Sequence, residues 1–358
     1  MTETRPPTYL TEKFLKFART ETHGSSPLYA LLAERAAADP ELGDLAAEAL
    51  PGQHEPLMLF AAVHYLLLTG FEHPLAEYYA TCTPAPRRPD DEAYRRLGSF
   101  CQLFRDELAV IIATRRAQTN EVNRSTSLLP AFCFVAEHLA GRMVELTEVG
   151  SSAGLNLNWD RYSYDYGEGR TIPALRNPGP DLELVLATEL RGPLLPPLDA
   201  AARLRIADRR GIDLHPIDLT RSENAIWLQA LVWPEHLDRM RRLEKAARIA
   251  RRFPPAVRIG DAETDLLQIV RSTSNDRAPV IFHSFVLYQM PEDRRDRLAE
   301  QLREASAGRI VYRVSLEWFG TETPLLDIDI FSDGGHEHVV LAATDPHGRW
   351  LEWLAVGQ

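Results

Sequence analysis

From Met143 onward the sequence repeats one form: a short apolar run, an acid or histidine at its end, a turn-rich joint, and then a helical pattern. "RMVELTEVG" enters a Gly/Ser loop, "LRIADRRGIDLHPID" ends in acids, and "AVRIGDAETDLLQIV" passes through Gly-Asp into a helix start. "APVIFHSFVLYQMPEDRRDRLAEQLREA" joins an apolar run to a strongly amphipathic helix, and "GRIVYRVSLEWF" is a further strand. Strands alternating with helices require crossover connections, so the pattern predicts an α/β fold with a mainly parallel sheet. The last run, "DIDIFSDGGHEHVVLAATDPHGRWLEWL", has strands joined by Asp-Gly-Gly and Asp-Pro-His-Gly turns and no helix. It predicts an antiparallel pair at the sheet edge.

Upstream the texture is helical. Leu28, Leu31, Leu32 and Arg35 recur at helical spacing, and "EPLMLFAAVHYLLLTG" reads as a buried helix stopping at Gly70. "DDEAYRRLGSFCQLFRDELAVIIATRR" reads as one amphipathic helix with Leu97, Phe100, Cys101, Phe104, Leu108 and Ile111 on one face. No strand signal precedes Met143. The expected organisation is an all-helical N-terminal domain over residues 1–118 and an α/β core over 119–358. Within the core, the proline-rich stretch at about 162–205 is too long for an ordinary α/β connection and reads as an insertion, a hairpin or a lid.

The chain of 358 residues is long enough for two domains, with 45% hydrophobic and 25% charged residues and a net charge of −11. An acidic chain is poorly suited to coating nucleic acid, whose binding rests on Lys and Arg contacts to phosphate. Lys13, Lys16 and Lys245 are the only lysines, which argues against a lysine Schiff base or a P-loop. Cys82, Cys101 and Cys133 form neither a disulfide framework nor a zinc spacing. The N-terminal stretch "MTETRPPTYLTEKFLKF" has no apolar signal core, and Leu57–Leu68, interrupted by His64, is shorter than the ~20 residues of a membrane span. A cytoplasmic protein acting on a small molecule, without membrane or nucleic-acid partners, is expected; the oligomeric state is not legible.

The stretch "EVGSSAGLN", Glu148–Asn156, admits three chemistries. Gly150 to Gly154 matches Gly-x-Ser-x-Gly, the nucleophile elbow, with Ser152 as nucleophile, Asp261 or Asp265 as acid, and His283, His336 or His338 as base. Few strands precede it, however, and no His-Gly-Gly oxyanion loop is present. A dinucleotide loop needs Gly-x-Gly-x-x-Gly, but Ser152 and Leu155 occupy the second and third glycine positions. The third reading is a loop that carries no phosphate. It resembles that of class I S-adenosylmethionine (SAM) methyltransferases, in which an acid is followed by glycines at alternate positions. Glu148, Gly150 and Gly154 match that pattern, and Ser152 replaces the middle glycine.

The later strand ends extend this likeness. Asp213 in "RGIDLHP" takes the position of the acid that accepts ribose hydroxyls, with Asp218 as its competitor. Asp261 in "RIGDAETDL" takes the adenine-side position, and His283 ends the fourth strand above Tyr288 to Pro291. Together "QTNEVNRSTSLLPAF", "EVGSSAGLNLNWDRYSY", "RRGIDLHPIDL", "IWLQALVWPE" and "VIFHSFVLYQM" resemble an uncharacterised bacterial family known as a domain of unknown function. Its members pair a helical N-terminal region with a Rossmann-like methyltransferase core. The resemblance implies a SAM-dependent methyltransferase with a small-molecule acceptor. A SAM-binding protein without catalysis and a serine hydrolase using Ser152 are the alternatives.

On this likeness Glu148, Gly150, Ser152, Gly154, Asp213 and Asp261 hold the cofactor, and His283 and Tyr288 are the base candidates. Asn120, Glu121 and Arg124 of "TNEVNR", with Asn156 and Tyr162, line the cofactor or substrate pocket. Each has a plain structural alternative: turn glycines, helix caps at Asp213 and Asp261, a satisfied core histidine at 283, a capping cluster at 119–124 and an anchor at Tyr162. His336 and His338 share a strand face without a third ligand at metal spacing, so no metal is expected. Trp227, Trp233 and Trp318 read as core.

Overall fold

The computed structural model describes residues 7–139 and 141–355; Met1–Pro6 of the stretch read for a signal core lie outside the described residues. Contacts divide the chain into two units: Met1–Thr119 with Arg221–Glu244, and Asn120–Thr220 with Lys245–Gln358.

The first unit is helical among its described residues, and its second segment supplies helix Ser222–Ala230. Ser26 caps helix Pro27–Ala36 by accepting from Tyr29 N, and its hydroxyl donates to Glu235 (2.6 Å). The Tyr29 and Phe60 rings stack at 4.9 Å in the core. Buried Trp227 donates its indole N–H to the Arg116 carbonyl (2.8 Å). His64 lies wholly inside helix Glu55–Leu68, where burial lowers its pKa to about 4. The neutral ring donates from Nδ1 to the Ala230 carbonyl and accepts at Nε2 from the Thr81 hydroxyl.

The amphipathic stretch at 91–114 is two helices, not one: Asp91–Leu103 and Arg105–Thr114. Phe104 leaves helical geometry (φ −116°, ψ 31°) with its ring packed on Phe71 and Phe100. Asp106 and Glu107 then suit the new N-terminus. The expected face survives the break, because Leu97, Phe100, Cys101 and Leu108 are all buried.

The second unit is built on a sheet whose first strand begins at Met143. Its strands are β1 (Met143–Val149), β2 (Ile206–Asp213), β3 (Val257–Ile259), β4 (Arg277–Ser284), β5 (Val311–Glu317), β6 (Leu325–Ser332), β7 (Gly335–Thr344) and β8 (Trp350–Trp353). Their order is β3-β2-β1-β4-β5-β6-β7-β8, and Glu189–Arg191 adds a ninth strand beyond β8. The pairs from β3 to β5 are parallel. The β5–β6, β6–β7 and β7–β8 pairs are antiparallel. The protein is thus a mixed α/β structure with a large, mainly parallel sheet plus helices. The antiparallel part is a meander longer than the expected pair, because the short turns after β6 and β7 return the chain at once. In the parallel part the chain leaves β1 toward β2 and later returns on the other side as β4. The crevice at the carboxyl ends of β1 and β4 is therefore the topological switch point where such sheets bind ligands.

Side chains alternate across the sheet. On one face Val149, Ile212, Ile281, Val311 and Phe331 pack with Leu266, Ile269, Leu298 and Leu302 of helices Ala262–Arg271 and Glu292–Ala305. Each such fully buried side chain contributes about 1.5–3 kcal/mol. On the other face Phe132 of helix Ser125–His138 meets Phe282 edge-on at 5.3 Å and Trp159 at 5.0 Å. Central β1 is buried on both faces; even Glu145 is covered, between Arg210 (2.9 Å) and Arg277 (2.7 Å).

The stretch at 162–205 contains a small sheet in which Ser163–Asp165 pairs with Thr171–Ile172 and with Val185–Ala187. Three tyrosines of "YSYDY" fasten its start: Tyr162, Tyr164 and Tyr166 donate their hydroxyls to the carbonyls of Leu155, Trp159 and Thr126. Among the described residues no helix is long and apolar enough to cross a membrane.

Candidate functional site

The "EVGSSAGLN" loop follows β1 at the switch point, and its backbone alternates. Gly150 (φ 67°), Ser152 (φ 52°) and Gly154 (φ 69°) are all left-handed. Close packing by the protein's own side chains requires both glycines. A Cβ at Gly150 would lie 2.4 Å from Val286 Cγ2, and one at Gly154 would lie 2.7 Å from Pro255 and Val257. Ser152 holds the same conformation with a side chain, at a cost of about 1–2 kcal/mol. Gly211 on β2 admits Ser151, whose Oγ would come within 2.4 Å of an added Cβ. The hydroxyls of Ser151 and Ser152 are both buried without a hydrogen-bond partner.

Asp213 ends β2 and holds this loop. Its Oδ2 accepts from Ser152 N (2.7 Å) and its Oδ1 from His215 N (2.7 Å). The competitor Asp218 instead closes an exposed turn by accepting from Thr220. Asp261 caps helix Ala262–Arg271, accepting from Glu263 N (3.0 Å) and from Arg294 (3.2 Å).

Glu148 lies on the same sheet face as Phe132, 2% exposed, and its Oε2 has no hydrogen-bond partner. Burial, followed by repulsion from Asp213, pushes its pKa well above the usual carboxylate range, against a hydrogen bond from Asn156 and the charge of Arg124. Asn156 in turn accepts from the Ser125 hydroxyl at 2.9 Å.

The "TNEVNR" segment bridges the strand ends. Asn120 Nδ2 donates to the Ser151 carbonyl (2.9 Å), and its Oδ1 is buried without a partner. Glu121 accepts from Asn123 N at Oε1, and its Oε2 lies 3.8 Å from His347. Arg124 donates to the Pro346 carbonyl (3.1 Å) and stacks over the Phe285 ring at 4.1 Å. Asn123 clamps the Asp-Pro-His-Gly turn through the Gly348 carbonyl (2.7 Å). Tyr162, wholly buried and bonded to the Leu155 carbonyl, is an anchor in this structure.

His283 pairs with Val149 in the β1–β4 register, which places its side chain on the face opposite Glu148. Its Nδ1 is 2.7 Å from Glu317 Oε1, and its buried Nε2 has no partner. Glu317, at the end of β5, was not singled out from sequence, yet it organises the loop after β4. It also accepts from Val286 N (2.9 Å), Leu287 N (3.0 Å) and Tyr288 N (3.1 Å). Burial raises its pKa, but the bonds from His283 and these backbone amides outweigh that and hold it below the ordinary value. The available signal was an acid inside the apolar run "VSLEWF". Tyr288 is 48% exposed, and Trp318, expected in the core, is 45% exposed because β5 ends one residue before it.

His336 and His338 both face Asp329 Oδ1, at 2.5 and 3.2 Å, beside the Arg313–Asp329 ion pair. Among the described residues no group of three or more metal-type ligands is assembled. The Ser152 hydroxyl is not hydrogen-bonded to any histidine among the described residues.

These features define an α/β protein with a loop-lined crevice at a sheet switch point. The chain belongs to the bacterial family described as "Uncharacterized protein conserved in bacteria (DUF2332)", which it matches over residues 11–353. No curated protein matches it. It is similar, at 10% identity and a TM-score of 0.24, to the crystal structure of Streptomyces venezuelae DesVI, over 61% of this chain and 75% of that one.

Proposed function

We propose that the protein binds SAM in the crevice at the β1–β4 switch point and transfers its methyl group to a small-molecule acceptor. One observation carries this reading: left-handed residues 150, 152 and 154 are flanked by two buried, unpartnered acceptors, Glu148 Oε2 and Asn120 Oδ1. Unmet buried acceptors each cost about 1–3 kcal/mol, more when charged, and a ligand with donors would relieve them. SAM fits that donor demand: its ammonium suits Glu148 Oε2 and Asn120 Oδ1, and Asp213, at the end of β2, would lie on the ribose side. Bound there, it would supply an electrophilic methyl group on a sulfonium. Gly150, Ser152 and Gly154 would shape the loop, Asp261 would lie on the adenine side, and Asn156 would orient Glu148. Glu121, Arg124 and Tyr162 would frame the pocket. Methyl transfer needs chiefly orientation, and His283 or Tyr288 would take a proton if the acceptor carries one.

Titration calorimetry with SAM and S-adenosylhomocysteine is expected to show micromolar binding, weakened at least tenfold in Glu148→Gln and lost in Asp213→Ala. No heat with either ligand would sink the reading. If SAM binds but labelled methyl reaches no acceptor in cell extract, a binding protein without catalysis is favoured. The left-handed Ser152 is also compatible with a strained nucleophile elbow. Labelling of Ser152 by a fluorophosphonate would favour the hydrolase.

A further inference from the structure

Three aromatic side chains stand exposed where β4 and β5 end. Tyr288 is 48% exposed, Trp318 45% and Phe319 48%. A single exposed apolar residue is ordinary, but three aromatic residues on neighbouring strand ends beside a ligand crevice point to a binding surface. Two of the three segments are tied down by hydrogen bonds. Glu317 takes the Tyr288 backbone N–H and immediately precedes Trp318, so one carboxylate fixes both segments. The Trp318 indole N–H donates to the Thr321 carbonyl (2.7 Å), and Tyr288 meets Phe285 edge-on at 6.0 Å. A platform ordered in advance binds without the entropic cost of assembling it.

Arg295, on the first turns of helix Glu292–Ala305, supplies charge. Its guanidinium lies 4.7 Å from the Phe319 ring centroid. The neighbouring Arg294 and Arg297 are both paired to Glu263. Among the described residues, by contrast, Arg295 is in no ion pair and no side-chain hydrogen bond; Glu292, three residues earlier, is not within pairing distance. A half-buried guanidinium stacked on an aromatic ring, its in-plane donors unused, is a ready partner for a carboxylate.

We propose that Tyr288, Trp318, Phe319 and Arg295 form the acceptor subsite, and that it takes a flat, apolar small molecule bearing a carboxylate. This assignment of substrate class rests on the methyl-transfer reading; the binding surface itself does not. The aromatic rings cover the flat body and Arg295 anchors the anionic group, which sets the molecule's orientation at the strand ends.

The test uses benzoate, 4-hydroxybenzoate and neutral benzyl alcohol as probes of the full-length protein. Tryptophan fluorescence and ligand-observed NMR report binding, with S-adenosylhomocysteine calorimetry run in parallel. The two carboxylates are expected to bind at least tenfold tighter than benzyl alcohol. Arg295→Gln should erase that preference, Phe319→Ala should weaken all three probes, and both variants should bind S-adenosylhomocysteine as the parent does. Equal binding of the charged and neutral probes, or no binding at millimolar concentration, overturns the assignment. Carboxylate binding without S-adenosylhomocysteine binding leaves the subsite standing and removes the methyl-transfer reading. The converse removes the subsite alone.

Discussion

Ser152 is the position where this loop is most open to improvement, and Ser152→Gly measures by how much. The serine sits at φ 52°, in a conformation that costs a side-chain-bearing residue about 1–2 kcal/mol and glycine almost nothing. Its hydroxyl is buried and unpartnered, a further cost of about 1–3 kcal/mol. Against these gains, glycine loses about 0.5–1 kcal/mol through the greater freedom of the unfolded chain. The net expectation is stabilisation by about 1–4 kcal/mol. Ser152→Ala removes the hydroxyl but keeps the strained Cβ, so its gain should be smaller. Urea unfolding midpoints compared among the three proteins should rank Gly above Ala above Ser. If serine proves the most stable, the hydroxyl makes a stabilising hydrogen bond and the unpartnered-hydroxyl account is refuted. If glycine stabilises the fold but abolishes ligand binding, the hydroxyl is retained for the ligand and the strain is part of the site.

Two further outcomes follow from the same site. Glu148 has a folded-state pKa raised above its unfolded value, so its contribution is most favourable below pH ~4.5 and is lost as pH rises through the folded pKa. Glu148→Gln should therefore match the parent in stability at about pH 4 and exceed it increasingly toward pH 8, as read from denaturant midpoints across pH; a constant difference would contradict a buried carboxyl of raised pKa. Gly150→Ala should cost about 2–4 kcal/mol, because the new Cβ meets Val286 in a left-handed turn, and Val286→Ala in the same chain should restore part of that loss. Additive losses in the double variant would show that the contact is not the cause.

The parts of this structure written locally were the parts that could be read. Apolar runs ending at Glu148, Asp213, Ile259 and His283 announce parallel strands, because strand length and the following helix start lie within one stretch of chain. The alternation at 150, 152 and 154 was visible as small residues, although not that Ser152 would take the glycine conformation. What escaped depends on contacts between distant segments. Helix Ser222–Ala230 lies within the α/β part of the sequence, yet it packs in the first unit through Trp227 and Arg116. The interruption at Phe104 is set by Phe71 and Phe100 and by no helix breaker. Glu317 resembled an ordinary strand residue, because its four donors come from His283 and from the turn beyond it.

The division of the first unit between two stretches of chain bears on the order in which it can be completed. Its N-terminal segment ends at Thr119, but Ala230 must accept from His64, Trp227 must reach Arg116, and Glu235 must receive Ser26. At translation rates of about 5–20 residues per second, the 125 residues from Asn120 to Glu244 take roughly 6–25 s to emerge. Until Trp227 emerges its place in the helical unit stays unfilled, and β1 and β2, which precede it in the chain, become available to pair first. The helical unit, although begun first, therefore cannot be completed until a large part of the sheet unit has been synthesised. A ribosome stalled before Trp227 would present it as a target for chaperones.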